Sequence, residues 1–123
     1  MNNMVSSGAH SPSEAIAGKW HLVDRAADEA HVPSHRVDLV FYSEGGRLRG
    51  AILNRLNGQG IPLASLEFDG SVLRLLMQAP EGRFQAEMPT LVMRTINDKF
   101  EGCWMKAGTE QLGPNLKLVR AVE

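Results

Sequence analysis

The stretch EFDGSVL, Glu67 to Leu73, sets a reversal signal between two runs of alternating apolar residues. An Asp-Gly pair suits a two-residue type I′ hairpin turn, because both central residues need a left-handed backbone that aspartate tolerates and glycine adopts freely. With Asp69-Gly70 as the turn, Phe68 pairs with Ser71 and Leu66 with Leu73. Ala64, Leu66, Phe68, Leu73, Leu75 and Met77 then share one face, and Leu63, Ser65, Glu67, Val72, Arg74 and Leu76 the other. The first set is apolar throughout and reads as core.

The same construction applies to MRTINDKFEGCW, Met93 to Trp104. A turn at Asn97-Asp98 gathers Met93, Thr95, Phe100, Gly102 and Trp104 on the inner face and sets Arg94 against Glu101 outside. Alternation elsewhere sends Val37, Leu39, Phe41, Leu48, Gly50, Ile52, Phe84, Ala86, Met88, Leu116 and Leu118 to the same interior. From Lys19 onward, period-two segments cut by turn residues predict strands near 19–25, 35–42, 47–54, 61–68, 71–77, 83–96, 99–106 and 115–121. No helical periodicity is long enough for a core helix. Pro89 cannot donate to a ladder, so 83–96 is either one strand bulged at Met88–Thr90 or two short ones.

Tight connections (SEGGR, DG, ND) alternate with longer ones (RAADEAHVPSH, RLNGQG, QAPEG, AGTEQLGP). In an up-and-down sheet alternate turns lie at opposite ends, so one end is closed and the other ringed by loops. Eight strands also let the last pair antiparallel with the first, which removes the sheet edges. The predicted fold is all-β: an eight-stranded antiparallel up-and-down barrel over residues 17–123, preceded by a mobile N-terminal tail over 1–16.

The chain has 123 residues and a formal net charge of −1, with no basic run or stripe, so nucleic acid is not an expected partner. Cys103 is the single cysteine, which excludes an internal disulfide. No apolar run approaches membrane-spanning length, and the N-terminal stretch lacks the basic and apolar regions of an export signal. As written the chain reads as cytoplasmic, or as periplasmic or secreted where a leader has been removed.

Chemistry-bearing motifs are scarce. Paired carboxylates for acid–base work would need two acids on the inner wall, which offers Asp24 near its rim. His31 and His35 have the spacing of a helical metal pair, but Pro33 argues against a helix there and no third ligand converges. The Gly-x-Ser-x-Gly nucleophile elbow is absent. No catalytic residue, metal or cofactor is expected.

GKW opening the first strand, with Arg120 in LKLVRA on the last, resembles the lipocalin and calycin pattern. There the Gly-x-Trp tryptophan plugs the closed end and an arginine of the last strand packs over it, which implies structural roles for Gly18, Trp20 and Arg120. The order RVDLVF, GRLRGAI, GQGIPLASLEFDGSVLRL, FEGCW and LKLVR is similar to the lipocalin-like accessory domain that precedes some bacterial α/β-hydrolase catalytic domains. This similarity runs from Ala17 to Arg120, with MPTLVMR as an apparent insertion.

The expected function is non-catalytic binding of a small apolar ligand inside the barrel. Phe41, Met77, Met93 and Trp104 would line the cavity, with Asn54 at the mouth able to orient a polar group. Two other classes compete: an interaction module that uses the outer wall, and an enzyme with chemistry at the loop ring around His31, Asn54 and Glu110. A cavity of roughly 300 Å³ or more separates the first from the second. The Asp69-Gly70 register also clusters Ile61, Leu63 and Leu76 on the outer wall. Such a patch predicts a homodimer, unless the tail covers it with Val5 and Ile16 as anchors.

Overall fold

The computed structural model describes residues 15–32, 36–54, 56–106 and 110–121. Its eight strands are β1 (Gly18–Asp24), β2 (Arg36–Glu44), β3 (Arg47–Leu53), β4 (Gly60–Phe68), β5 (Val72–Met77), β6 (Thr90–Ile96), β7 (Lys99–Lys106) and β8 (Glu110–Arg120). Each pairs antiparallel with its successor, and β8 pairs antiparallel with β1, so the sheet closes into an up-and-down barrel. Tight reversals at Gly45-Gly46, Gly70-Ser71 and Asn97-Asp98 lie at one end. The longer connections lie at the other.

The Asn97-Asp98 hairpin has the expected register: Ile96 faces Lys99, Thr95 faces Phe100, Arg94 faces Glu101 and Met93 faces Gly102. The β4–β5 hairpin differs by two residues, with Phe68 opposite Leu73 and Leu66 opposite Leu75. Asp69 causes the shift. Its carboxylate accepts from the amides of Ser71 and Val72, both at 2.8 Å, and its own amide donates to the Val72 carbonyl, which makes Gly70-Ser71 the centre of the turn. A two-residue shift preserves side-chain parity, so Leu66, Phe68, Leu73 and Leu75 still share a face.

A bulge between Leu63 and Ser65 then reverses that parity. Leu63 stands opposite Met77 and packs against the core, where Gly50 leaves room for it. Leu76, opposite Ser65, points the other way. The proposed outer patch of Ile61, Leu63 and Leu76 is therefore not contiguous, although Ile61 is half exposed.

Three other readings change. Residues 83–89 are not strand: Gln85–Glu87 forms one 3₁₀ turn, and Phe84, expected inside with Ala86 and Met88, is 76% exposed. Pro80, Gly82 and Pro89 break up the segment, and the Gln85 side chain ties it down by donating to the Met77 carbonyl and accepting from the Ala79 amide. Residues 25–29 form a short helix, α1 (Arg25–Glu29), capped by the Asp24 carboxylate on the Ala27 amide at 2.9 Å. Ile16 belongs to the barrel core instead of a tail. Residues 1–14, with Val5, and His35 lie outside the described residues.

The wall has one thin place. β3 and β4 share three residue pairs, Ala51–Pro62, Ile52–Ile61 and Leu53–Gly60, all near the open end. Below them the ladder is not continued, and a depression of about 350 Å³ lies between Arg47–Gly50 and Leu63–Glu67. The tight turns fix which main-chain groups face it: Leu48 and Gly50 on one side, Leu66 on the other. Those three amides are expected to exchange with solvent faster than those of Leu39 or Leu73 in ladders on both sides. Native-state hydrogen exchange by NMR reads this directly, and equal protection would mean that the ladder closes in solution.

Candidate ligand cavity

The closed end is filled by aromatic rings. Trp20 is 2% exposed, with its ring centroid 5.4 Å from that of Phe100 and 6.3 Å from that of Phe41, and Phe68 meets Phe100 edge-on at 5.5 Å. The indole N–H donates to the Ile16 carbonyl at 2.9 Å. Arg120 stands opposite Trp20 in the β1–β8 ladder and lays its guanidinium 4.4 Å from the ring centroid. The same guanidinium donates to the carbonyls of Ala17 and Ala15, stitching the chain entry to the last strand. Gly18 has φ +125°, and a Cβ there would crowd the Arg120 guanidinium at 3.2 Å. Gly18, Trp20 and Arg120 thus meet at the closed end.

Above the floor the interior is hollow. A cavity of about 200 Å³ is lined by Leu22, Val37, Leu39, Ile52, Leu75, Met77, Leu91 and Trp104. None of these side chains is ionisable. Leu39, Leu75 and Leu91 are almost fully buried. A second compartment of about 410 Å³ adjoins it toward the open end, lined by Leu22, Val23, Asp24, Ala27, Val37, Trp104, Pro114 and Leu116. Leu22, Val37 and Trp104 border both, so Trp104 stands at the neck. The inner chamber is smaller than the roughly 300 Å³ expected to separate ligand binding from an interaction module, and the larger space beside it is broadly open to solvent.

Of the residues expected at the site, Met77 and Trp104 line the inner chamber. Phe41 and Met93 point inward but lie elsewhere in the core. Phe41 packs on Trp20 at the floor, and Met93 is wholly buried opposite Leu73 and Gly102. Asn54 is occupied within its own loop, where its side-chain oxygen accepts from the Leu56 amide at 2.8 Å. Asp24 reaches the outer chamber, but one of its oxygens is engaged in capping α1. Leu22 and Leu91 were missed, though each is two residues from a recognised inward position, Trp20 and Met93. Three loops at the open end also carry exposed apolar side chains: Val32, Leu56 and Phe84.

The polar clusters lie outside the barrel. His21 Nδ1 donates to Asp38 at 2.8 Å, and the Arg36 guanidinium approaches the same oxygen at 3.0 Å. Burial alone would raise the Asp38 pKa. The His21 hydrogen bond and the nearby charges of Arg36, His21 and Lys19 outweigh burial and hold it below the ordinary carboxylate value. The stabilisation is complete above the unfolded-state pKa and is lost as pH falls through the lower folded-state value. Asp38→Asn should therefore lower stability at neutral pH and flatten the acid limb of a stability–pH profile, which denaturation at several pH values would reveal. An unchanged acid limb would remove Asp38 as its source.

Lys117, 7% exposed on the outer face of β8, is paired with Asp28 of α1 at 3.0 Å. Arg25 lies 3.3 Å from both Glu29 and Glu101. These pairs fasten α1 against the wall beside the mouth. Among the described residues no three His, Cys, Asp or Glu side chains group as a metal site would require. No described helix is long and apolar enough to cross a membrane. No protein-family model, curated protein or solved structure matches the chain.

Proposed function

We propose that this is a lipocalin-like, non-catalytic binding protein that takes a small apolar molecule into its barrel through the open end. The observation that carries this reading is the chamber of about 200 Å³ beneath Trp104, walled by aliphatic side chains and a methionine. A chamber of that lining gains nothing from water, which needs two or more polar partners to reside stably. Met77 adds a deformable surface that adapts to irregular shapes. The lipocalin-like reading draws its support from the Trp20–Arg120 floor, the tight turns at that end and the antiparallel closure of β8 on β1.

Native mass spectrometry of freshly purified protein tests the reading: a retained metabolite appears as added mass. A second test uses the tryptophans. Trp104 borders the chamber and Trp20 is sealed in the floor, so an apolar probe that binds should shift or quench Trp104 emission and leave Trp20 nearly silent. Single-tryptophan variants separate the two signals. An unchanged Trp104 spectrum at saturation would take that residue out of the site.

A further inference from the structure

We propose that the open end of the barrel docks on a lipid bilayer, with Val32, Leu56 and Phe84 as three separate apolar tips that enter its interface. Each tip belongs to a different connection: Val32 follows α1 between β1 and β2, Leu56 lies between β3 and β4, and Phe84 lies between β5 and β6. In the up-and-down order these three connections share one end of the barrel. Val32 is 55% exposed, Phe84 76% and Leu56 97%.

The main chain makes these tips fit for an apolar medium. Each has its own amide satisfied inside its own loop: Val32 N–H donates to the Ala27 carbonyl at 2.8 Å, Leu56 N–H to Asn54 Oδ1 at 2.8 Å, and Phe84 N–H to Glu87 Oε1 at 3.2 Å. An amide left to water would have to be stripped of it on entering hydrocarbon, at a large cost. These three lose nothing of that kind. The same bonds hold the tips in place beforehand, so little ordering remains to be done on docking. At Val32 the end of α1 adds to this, with His31 in left-handed backbone at φ 57° and its N–H on the Asp28 carbonyl.

A bilayer suits this layout better than a protein surface does. A stable protein interface takes about 800 Å² of continuous surface from each partner. Leu56, with nearly all of its surface free, packs on neither of the other tips. Single projections can each sink into a layer that is apolar throughout. Interfacial segments sink about 5–10 Å, to the boundary of headgroups and acyl chains, where the exposed neighbours Glu81 and Arg83 keep their hydration. Docked so, the open end faces the phase in which small apolar molecules dissolve, which joins this surface to the binding reading without depending on it.

The test floats the full chain with phosphatidylcholine vesicles on a density gradient. Wild type should float with half-saturation below about 1 mM lipid. The triple variant Val32→Ser, Leu56→Ser, Phe84→Ser should bind at least about tenfold more weakly, with its circular dichroism unchanged. Ile96→Ser removes an exposed apolar side chain at the opposite end and should leave flotation as it is. Phe84→Trp should bind at least as tightly, with indole emission that moves to the blue on vesicles. The proposal is overturned if wild type does not float, or if the triple variant floats as well as wild type. Flotation that requires anionic lipid and vanishes in high salt also overturns it, because basic side chains would then be the attachment. So does a dimer in sedimentation equilibrium that the triple variant dissolves while wild type ignores vesicles, since the tips would then meet a second copy.

Discussion

Replacing Trp20 with alanine is expected to cost about 3–5 kcal/mol, the upper range for removal of a buried aromatic. The reason is its place in the floor. The ring touches Phe41 and Phe100, its N–H satisfies the Ile16 carbonyl, and its face carries the Arg120 guanidinium. Alanine leaves a void that three different strands would have to collapse into, and strands held in a closed ladder move little. Arg120→Ala should cost less, about 1–2 kcal/mol, because a partly exposed cation–π contact and hydrogen bonds to two carbonyls are lost while the ring remains. Chemical denaturation ranks the two variants. Equal stability of Trp20→Ala and wild type would show that the floor is built otherwise.

The second large effect is expected at Gly102, two residues before the other tryptophan. A Cβ at Gly102 would stand 1.9 Å from the Val92 carbonyl oxygen and 2.7 Å from the Met93 Cα. Both are main-chain atoms of β6, locked in register with β7, and the β7–β8 register slips between Gly102 and Trp104. Gly102→Ala should therefore cost about 3 kcal/mol, at the top of the usual overpacking range. Gly50 supplies the contrast. There a Cβ would meet Leu63 Cδ1 at 2.8 Å and the ends of Leu66 and Phe41, mostly flexible side-chain tips. Gly50→Ala should cost about 1 kcal/mol, part of it offset by the lower backbone entropy of alanine. Comparable losses at both positions would mean that β6 yields where its ladder implies it cannot.

Which face each strand buries was legible in the sequence because a two-residue period carries parity, and parity survives a two-residue error in register. That is why Leu66, Leu73, Leu75 and Trp104 were placed inside although the β4–β5 turn was centred one residue early. The error came from treating Asp69 as a turn backbone when its side chain acts as a cap for Ser71 and Val72. The bulge beside Ala64 reverses parity and leaves no mark in the alternation, so Leu63 was sent outside. Asp24 preceding RAADE was a readable helix cap, and it passed unread because five residues are too few for a helical period to emerge.

The cavity shows a different limit. Alternation says whether a side chain points inward but not how high along the barrel axis it sits, which depends on strand tilt and stagger. Phe41 and Met93 were correctly inside. Phe41 lies at the floor with Trp20, Met93 is buried beside Leu73 and Gly102, and Met77 and Trp104 reach the chamber.

A closed barrel ordinarily offers no strand edge for another chain to copy, and the thin place between β3 and β4 restores two of them. Leu48, Gly50 and Leu66 direct main-chain groups into that depression, a template for a foreign strand. Its outer margin carries exposed Arg47 and Arg49 on one side and exposed Glu67 on the other. A neighbour seeking to dock there as a sheet must bring its own chain past charges of both signs, and a flat apolar strand has nothing to offer them. Charges of both signs at such an edge are of the kind that disfavours pairing with a flat apolar strand.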